Sequence, residues 1–175
     1  VGYNAIVPGN YDFLFGTENL VALSQRANFD FLASNLHYSD SMDLLFEPYQ
    51  IYNIKNVNVG VLGIVNANLS DIVLDVNLSG VKLTSPIESL KKWIPVMKNN
   101  DVDIIVLLTS YGVPWDREDV YNDFINSDKI EINNAIELGY YCDGVDVIVS
   151  GGISKGYPQV WYDPHSHVYT SQNYG

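Results

Sequence analysis

SPIESLKKWIPVMKNNDVDIIVLLTSYG, residues 85–112, sets the fold class. Ser85 stands where a cap belongs, Pro86 at the first helical position, and Glu88 three residues after the cap, so a helix starts there. Ile87, Leu90, Trp93, Ile94 and Met97 recur at helical spacing as the buried face, and Lys91, Lys92 and Lys98 take the outside. Pro95 removes an intrahelical donor and predicts a kink. Val102 to Leu108 is short and nearly all apolar, as expected of a central strand covered on both faces. A helix feeding such a strand is the unit of an α/β protein.

The flanking segments extend the alternation. Upstream, Tyr3 to Val7 reads as a strand ended by Pro8-Gly9, and Thr17 caps a helix running to about Ala27. Phe29 to Asn35 reads as a strand, and Tyr49 to Ile54 with Val57 to Val65 as a pair joined at Lys55-Asn56. Downstream, 112–128 is an acidic, aromatic excursion with at most a helical turn or two. Ile130 to Tyr140 reads as helix and Val145 to Val149 as a second buried strand. Gln159 to Tyr162 and Val168 to Gln172 are two short strands joined by Asp163-Pro164. The whole of 1–175 reads as a single domain.

The chain has 175 residues, 47% hydrophobic, with a formal net charge of -12. Such acidity argues against a nucleic-acid binder, whose affinity rests on clustered Lys and Arg, and against binding to anionic lipid. No stretch reaches the ~18 consecutive apolar residues of a membrane span. Cys142 is the single cysteine, so no internal disulfide forms, and its expected place is a buried position near a helix end. Asn68-Leu69-Ser70 and Asn77-Leu78-Ser79 fit the glycosylation pattern, which matters only in a secreted eukaryotic protein.

In order along the chain, the segments resemble those of the 5'-nucleotidase family of metallophosphoesterases. GYNAIVPGNYDFLFG (2–16) resembles the family's GNHE block, and FDFLASNL (29–36) and VNVGVLGIV (57–65) resemble the two that follow. The stretch 85–112 resembles the block ending in SHxG. GVDVIVSGGIS (144–154) stands where the family has GHSH, and VYTSQNYG (168–175) resembles its closing block. The resemblance implies a metallophosphoesterase-like α/β sandwich core with mixed sheets and covering helices, incomplete at both ends. It also implies two divalent metals that clamp a phosphate and activate a water.

The family's ligands carry over one position at a time. Asn10 matches the metal-bridging Asn, Asp12 the acidic residue two places on, and Tyr11 replaces the catalytic His between them. Ser110 replaces the His of SHxG, and Gly152 and Ser154 replace the two histidines of GHSH. The family's upstream DxH and GD ligand segments and its carboxy-terminal nucleotide-recognition domain fall outside the matched blocks. A lone neutral amide does not hold a divalent cation against water. The expectation is therefore a truncated, degenerate 5'-nucleotidase-like domain, catalytically inactive and without bound metals, acting as a binding or structural module or a remnant. The alternative is a nucleotide phosphohydrolase completed by a segment or partner outside this chain. The resemblance suggests a periplasmic or extracellular location.

Other residues invite weaker readings. Asn10 and Asp12 fit an Asx turn after Pro8-Gly9, and Tyr11 a half-buried aromatic at a strand end. SGGISKG (150–156) offers Lys155 to a phosphate, but it leads toward a strand rather than a helix N-terminus. In PHSHV (164–168), alternation puts His165 and His167 on one face of an extended strand, able to chelate an adventitious metal but past the GHSH position, where the family resemblance implies no ligand. His37 reads as a surface or satisfied core histidine, and Asp116, Glu118 and Asp119 as a solvated acidic face. Unpaired sheet edges favour self-association.

Overall fold

The computed structural model describes residues 2–128, 130–152 and 160–172. Its centre is a mixed sheet of β4 (Tyr49–Ile54), β5 (Val57–Ile64), β7 (Ile104–Thr109), β8 (Val147–Ser150), β10 (Tyr169–Gln172) and β9 (Trp161–Tyr162), in the spatial order β4-β5-β7-β8-β10-β9. The neighbours β5, β7, β8 and β10 run parallel, and the edge strands β4 and β9 are antiparallel to theirs. β4 and β5 form the hairpin expected at Lys55-Asn56, where both turn residues have positive φ. Two small sheets flank the amino-terminal half. They pair β1 (Ala5–Ile6) with β2 (Asp30–Phe31), and β3 (Leu36–Tyr38) with β6 (Val81–Leu83).

Helix α2 (Pro86–Lys98) forms as its sequence dictates: the Ser85 hydroxyl accepts the Glu88 amide, and the helix runs on through Pro95. Ile87, Leu90, Ile94 and Met97 are buried against Leu62, Ile64, Ile105 and Leu107 of the central sheet. Each such side chain contributes about 2 kcal/mol of apolar burial. Strand β7 is buried on that face alone. Ile105, Leu107 and Thr109 are buried, whereas Val106 and Leu108 are half-buried and Ile104 is exposed. The expectation of a strand covered on both faces is thus corrected. With Val59 and Val61, Val106 and Leu108 line a groove of about 660 Å³ that Gly2–Ala5 borders on one side.

A second core packs Phe13 and Leu20 of the amino-terminal half against Ala33, Leu36, Val65 and Leu69. Asn35 ties it to the main sheet beyond the end of β5. Its buried carboxamide donates to the Val65 carbonyl at 2.8 Å and accepts the Val65 amide at 2.9 Å, doing the work of a strand neighbour. Gly63 lets the two segments meet: a Cβ there would stand 2.5 Å from the Leu32 carbonyl carbon.

Several local expectations are corrected. α1 spans Thr17–Ser24, with Gly16 rather than Thr17 at the cap; the Thr17 hydroxyl donates to the Asn77 carbonyl instead. The acidic excursion carries a full helix, α3 (Arg117–Ile125), because Tyr121 and Phe124 bury against the main core. The helix expected over 130–140 shrinks to α4 (Ala135–Gly139). Asn134 caps it and stops it extending backward, its side chain accepting the amides of Ile136 and Glu137. Cys142 is fully buried after α4, and its thiol donates to the Leu138 carbonyl. Burial pushes that thiol's pKa far up, so it is inert.

Candidate functional site

Strand ends β5 and β7 deliver Asn66 and Ser110 to one end of the sheet, and the 3-10 turn Asn10–Phe13 comes up beside them. Together with Ile72, Gly112–Asp116, Val120, Asn133 and Asn134 they line a pocket of about 540 Å³. The structure therefore brings Asn10 and Ser110 to a common pocket. Asn10 is 8% exposed, and its Oδ1 is buried without a hydrogen-bond partner. Buried Ser110 accepts the Asn66 amide at 2.8 Å. Asp12 faces back instead: its carboxylate accepts the Gly9 amide at 2.7 Å, which makes it the turn residue. Tyr11 is 66% exposed, not the half-buried aromatic expected, because the turn points it outward.

Gly152 packs against the backbone of residues 110–112, two of which line the pocket, in a way that excludes a side chain. A Cβ added there would run into the Ser110 carbonyl oxygen and the Gly112 amide, and would lie 2.6 Å from the Tyr111 carbonyl carbon. These are backbone atoms, so no rotamer change relieves the contact. Ser154 and Lys155 lie outside the described residues.

Tyr111 braces this arrangement. It is fully buried, its hydroxyl accepts the Ala67 amide at 3.0 Å, and its carbonyl accepts the Ser150 hydroxyl. Burial pushes its phenol up to about 12, helped by the carboxylates of Glu137 and Glu131 and opposed by the Ala67 amide. In the unfolded chain a tyrosine ionises near 10. Between about pH 10 and 12 unfolding thus releases a proton that the folded state keeps. The stabilisation is complete below pH 10 and lost as pH rises through that window. Tyr111→Phe is expected to cost about 1 kcal/mol at neutral pH through the orphaned Ala67 amide. It is also expected to flatten the alkaline loss, as read from urea melts across that range.

The carboxy-terminal histidines do not share one face of a strand. His165 lies in the turn 164–166 and stacks on Tyr140, with ring centroids 4.1 Å apart. His167 has φ 64° and hydrogen-bonds through Nδ1 to the Tyr162 hydroxyl at 2.8 Å. Buried Asp163 sets this turn by accepting the amides of His165 and Ser166, which breaks the alternation that chelation requires. His37 sits in β3, its ring nitrogens placed against the Met42 carbonyl and the Thr84 hydroxyl.

A dinuclear centre needs several anionic or imidazole donors around each ion. The pocket lining supplies carboxamides, the Ser110 hydroxyl and one carboxylate, Asp116. Among the described residues no cluster of three His, Cys, Asp or Glu is placed to hold a metal. These residues do not fit the pair of ions that the family resemblance implies. The residues that sequence reading missed are Asn66, Asn133, Asn134 and Trp115, which reach the pocket from separate loops with no telling spacing.

No family model matches the chain. Among curated proteins it is 29% identical over 113 residues to a 5'-nucleotidase of Vibrio cholerae, covering 64% of this chain and 20% of that protein. It is 27% identical over 170 residues to the trifunctional nucleotide phosphoesterase YfkN of Bacillus subtilis, covering 91% of this chain and 11% of that one. A crystal structure of the calcineurin-like phosphoesterase YfkN from Bacillus subtilis superposes with a TM-score of 0.70 at 26% identity, over 85% of this chain and 44% of the other. The chain thus spans about a fifth of the length of the first of these relatives.

Proposed function

We propose that this chain, whose homologues are 5'-nucleotidases and calcineurin-like phosphoesterases, is a binding module on a phosphoesterase core and not a two-metal phosphohydrolase in its own right. The observation that carries this reading is the packing at Gly152. The position that resembles a histidine site is a glycine whose backbone leaves no room for a side chain beside Ser110, Tyr111 and Gly112. The backbone of 110–112 packs against this glycine, so a side chain at the position would lack space as well. Asn10 and Ser110 remain at the pocket as neutral groups.

The competing reading is a phosphohydrolase whose centre is completed by residues outside this sequence. It is favoured by one observation, the buried Oδ1 of Asn10 with no partner. Phosphate release from AMP in the presence of Mn²⁺ or Zn²⁺ separates the two. The module reading expects the purified chain to match a protein-free control. Metal-dependent release that Asn10→Ala abolishes would establish the hydrolase.

A further inference from the structure

We propose that the pocket between Asn10, Ser110 and Trp115 binds an uncharged, polyhydroxylated ring. This rests on the reading that the pocket has no dinuclear metal centre of its own. The lining polar groups form a complementary set. Asn66 places its Oδ1 on the Asn68 amide, Asn133 accepts from the Asn68 side chain, and Asn134 caps α4 through its oxygen. With these oxygens engaged as acceptors, what Asn66, Asn133 and Asn134 have left to offer a ligand in the pocket they line is their NH2 donors. Asn10 contributes the reverse, a buried acceptor with no partner. A ligand that satisfies both must donate and accept, as each hydroxyl of a sugar does.

Charge and shape narrow the class. Among the described residues no Lys, Arg or His lines the pocket, Asp116 does, and the chain carries a net charge of -12, which disfavours an anionic phosphate. Trp115, 53% exposed, and Ile72, Val113 and Pro114 supply an apolar wall. Such a wall suits the C–H face of a ring, and an indole adds a large rigid surface at low entropic cost. A volume of about 540 Å³ accommodates one or two such rings. Two sources share this chemistry, a free saccharide and the ribose of a nucleoside.

Isothermal titration calorimetry on the metal-free chain with glucose, maltose, adenosine and AMP tests the assignment. At least one of the three neutral compounds is expected to bind, and AMP to bind about tenfold more weakly than adenosine if adenosine is the binder. Maltose or glucose alone identifies the saccharide source, and adenosine alone the nucleoside. Asn10→Ala and Trp115→Ala are each expected to weaken binding about tenfold, with Trp115→Ala, at a half-exposed position, guarding against a folding defect in the other. No heat from any neutral compound up to about 10 mM overturns the proposal. So does binding that both variants leave unchanged, or AMP binding as tightly as adenosine. Metal-dependent hydrolysis would defeat the module reading by a different readout, so the two failures are distinguishable.

Discussion

Gly152→His is expected to lower the melting temperature by roughly 6–12 °C without creating a metal site. The cause is steric. The new Cβ meets three backbone atoms of residues 110–112, and these are held from several sides. Ser110 accepts the Asn66 amide, Tyr111 is fixed through its hydroxyl to Ala67 and through its carbonyl to Ser150, and the Gly112 carbonyl accepts the Ala135 amide at 2.9 Å. Moving the segment breaks some of these bonds; leaving it in place compresses contacts below van der Waals distance. Overpacking of this kind costs about 3 kcal/mol, and about 2–4 °C per kcal/mol is the scale for a domain this size. Gly152→Ala should show most of the same loss, because the Cβ alone makes the clash. Thermal melts by circular dichroism check both variants; an unchanged midpoint would mean that residues 110–112 do not pack against Gly152.

Asn35→Ala is expected to destabilise the chain by about 3 kcal/mol, measured from urea midpoints. Truncation removes no large apolar surface, so the cost is almost wholly polar. The buried amide and carbonyl of Val65 both lose their partner, and each orphaned group costs about 1–3 kcal/mol. Asn35→Asp separates the contributions, since it still accepts the Val65 amide but places a carboxylate against the Val65 carbonyl. It should be worse than alanine above the ordinary carboxyl range and milder below it, where a protonated acid donates again. A result equal to alanine at all pH values would show that the Asn35 link is not what joins the two cores.

The central sheet was legible because its strands and α2 carry strong local signals. The Ser85-Pro86-Glu88 start, the spacing of Leu90, Ile94 and Met97, and the short apolar runs of β7 and β8 each agree with the tertiary structure. α3 was missed because its helical face is narrow: only Tyr121 and Phe124 are buried, and Arg117, Glu118, Asp119 and Asp123 put charge on much of the rest. α4 was overextended because Ile130 and Ile132 continue an apolar pattern that the Asn134 cap interrupts, and a lone Asn fits turn and cap equally well. At the pocket, Asn10, Ser110 and Gly152 were legible only through resemblance to a motif. The amides of Asn66, Asn133 and Asn134 were not, since neutral side chains brought together by long-range folding leave no periodicity to read. The shared strand face expected of His165 and His167 in PHSHV failed for the opposite reason. Their spacing is correct for a strand, but Asp163 forces a turn on them.

If this chain's own residues assemble no dinuclear metal centre, as proposed, metal stoichiometry will show it. The purified chain would be dialysed against Mn²⁺ or Zn²⁺, freed of loosely held ion, and measured by inductively coupled plasma mass spectrometry. Well under one equivalent per chain is expected, with no difference between the natural chain and Asn10→Ala. Close to two equivalents, reduced by Asn10→Ala, would contradict the proposal.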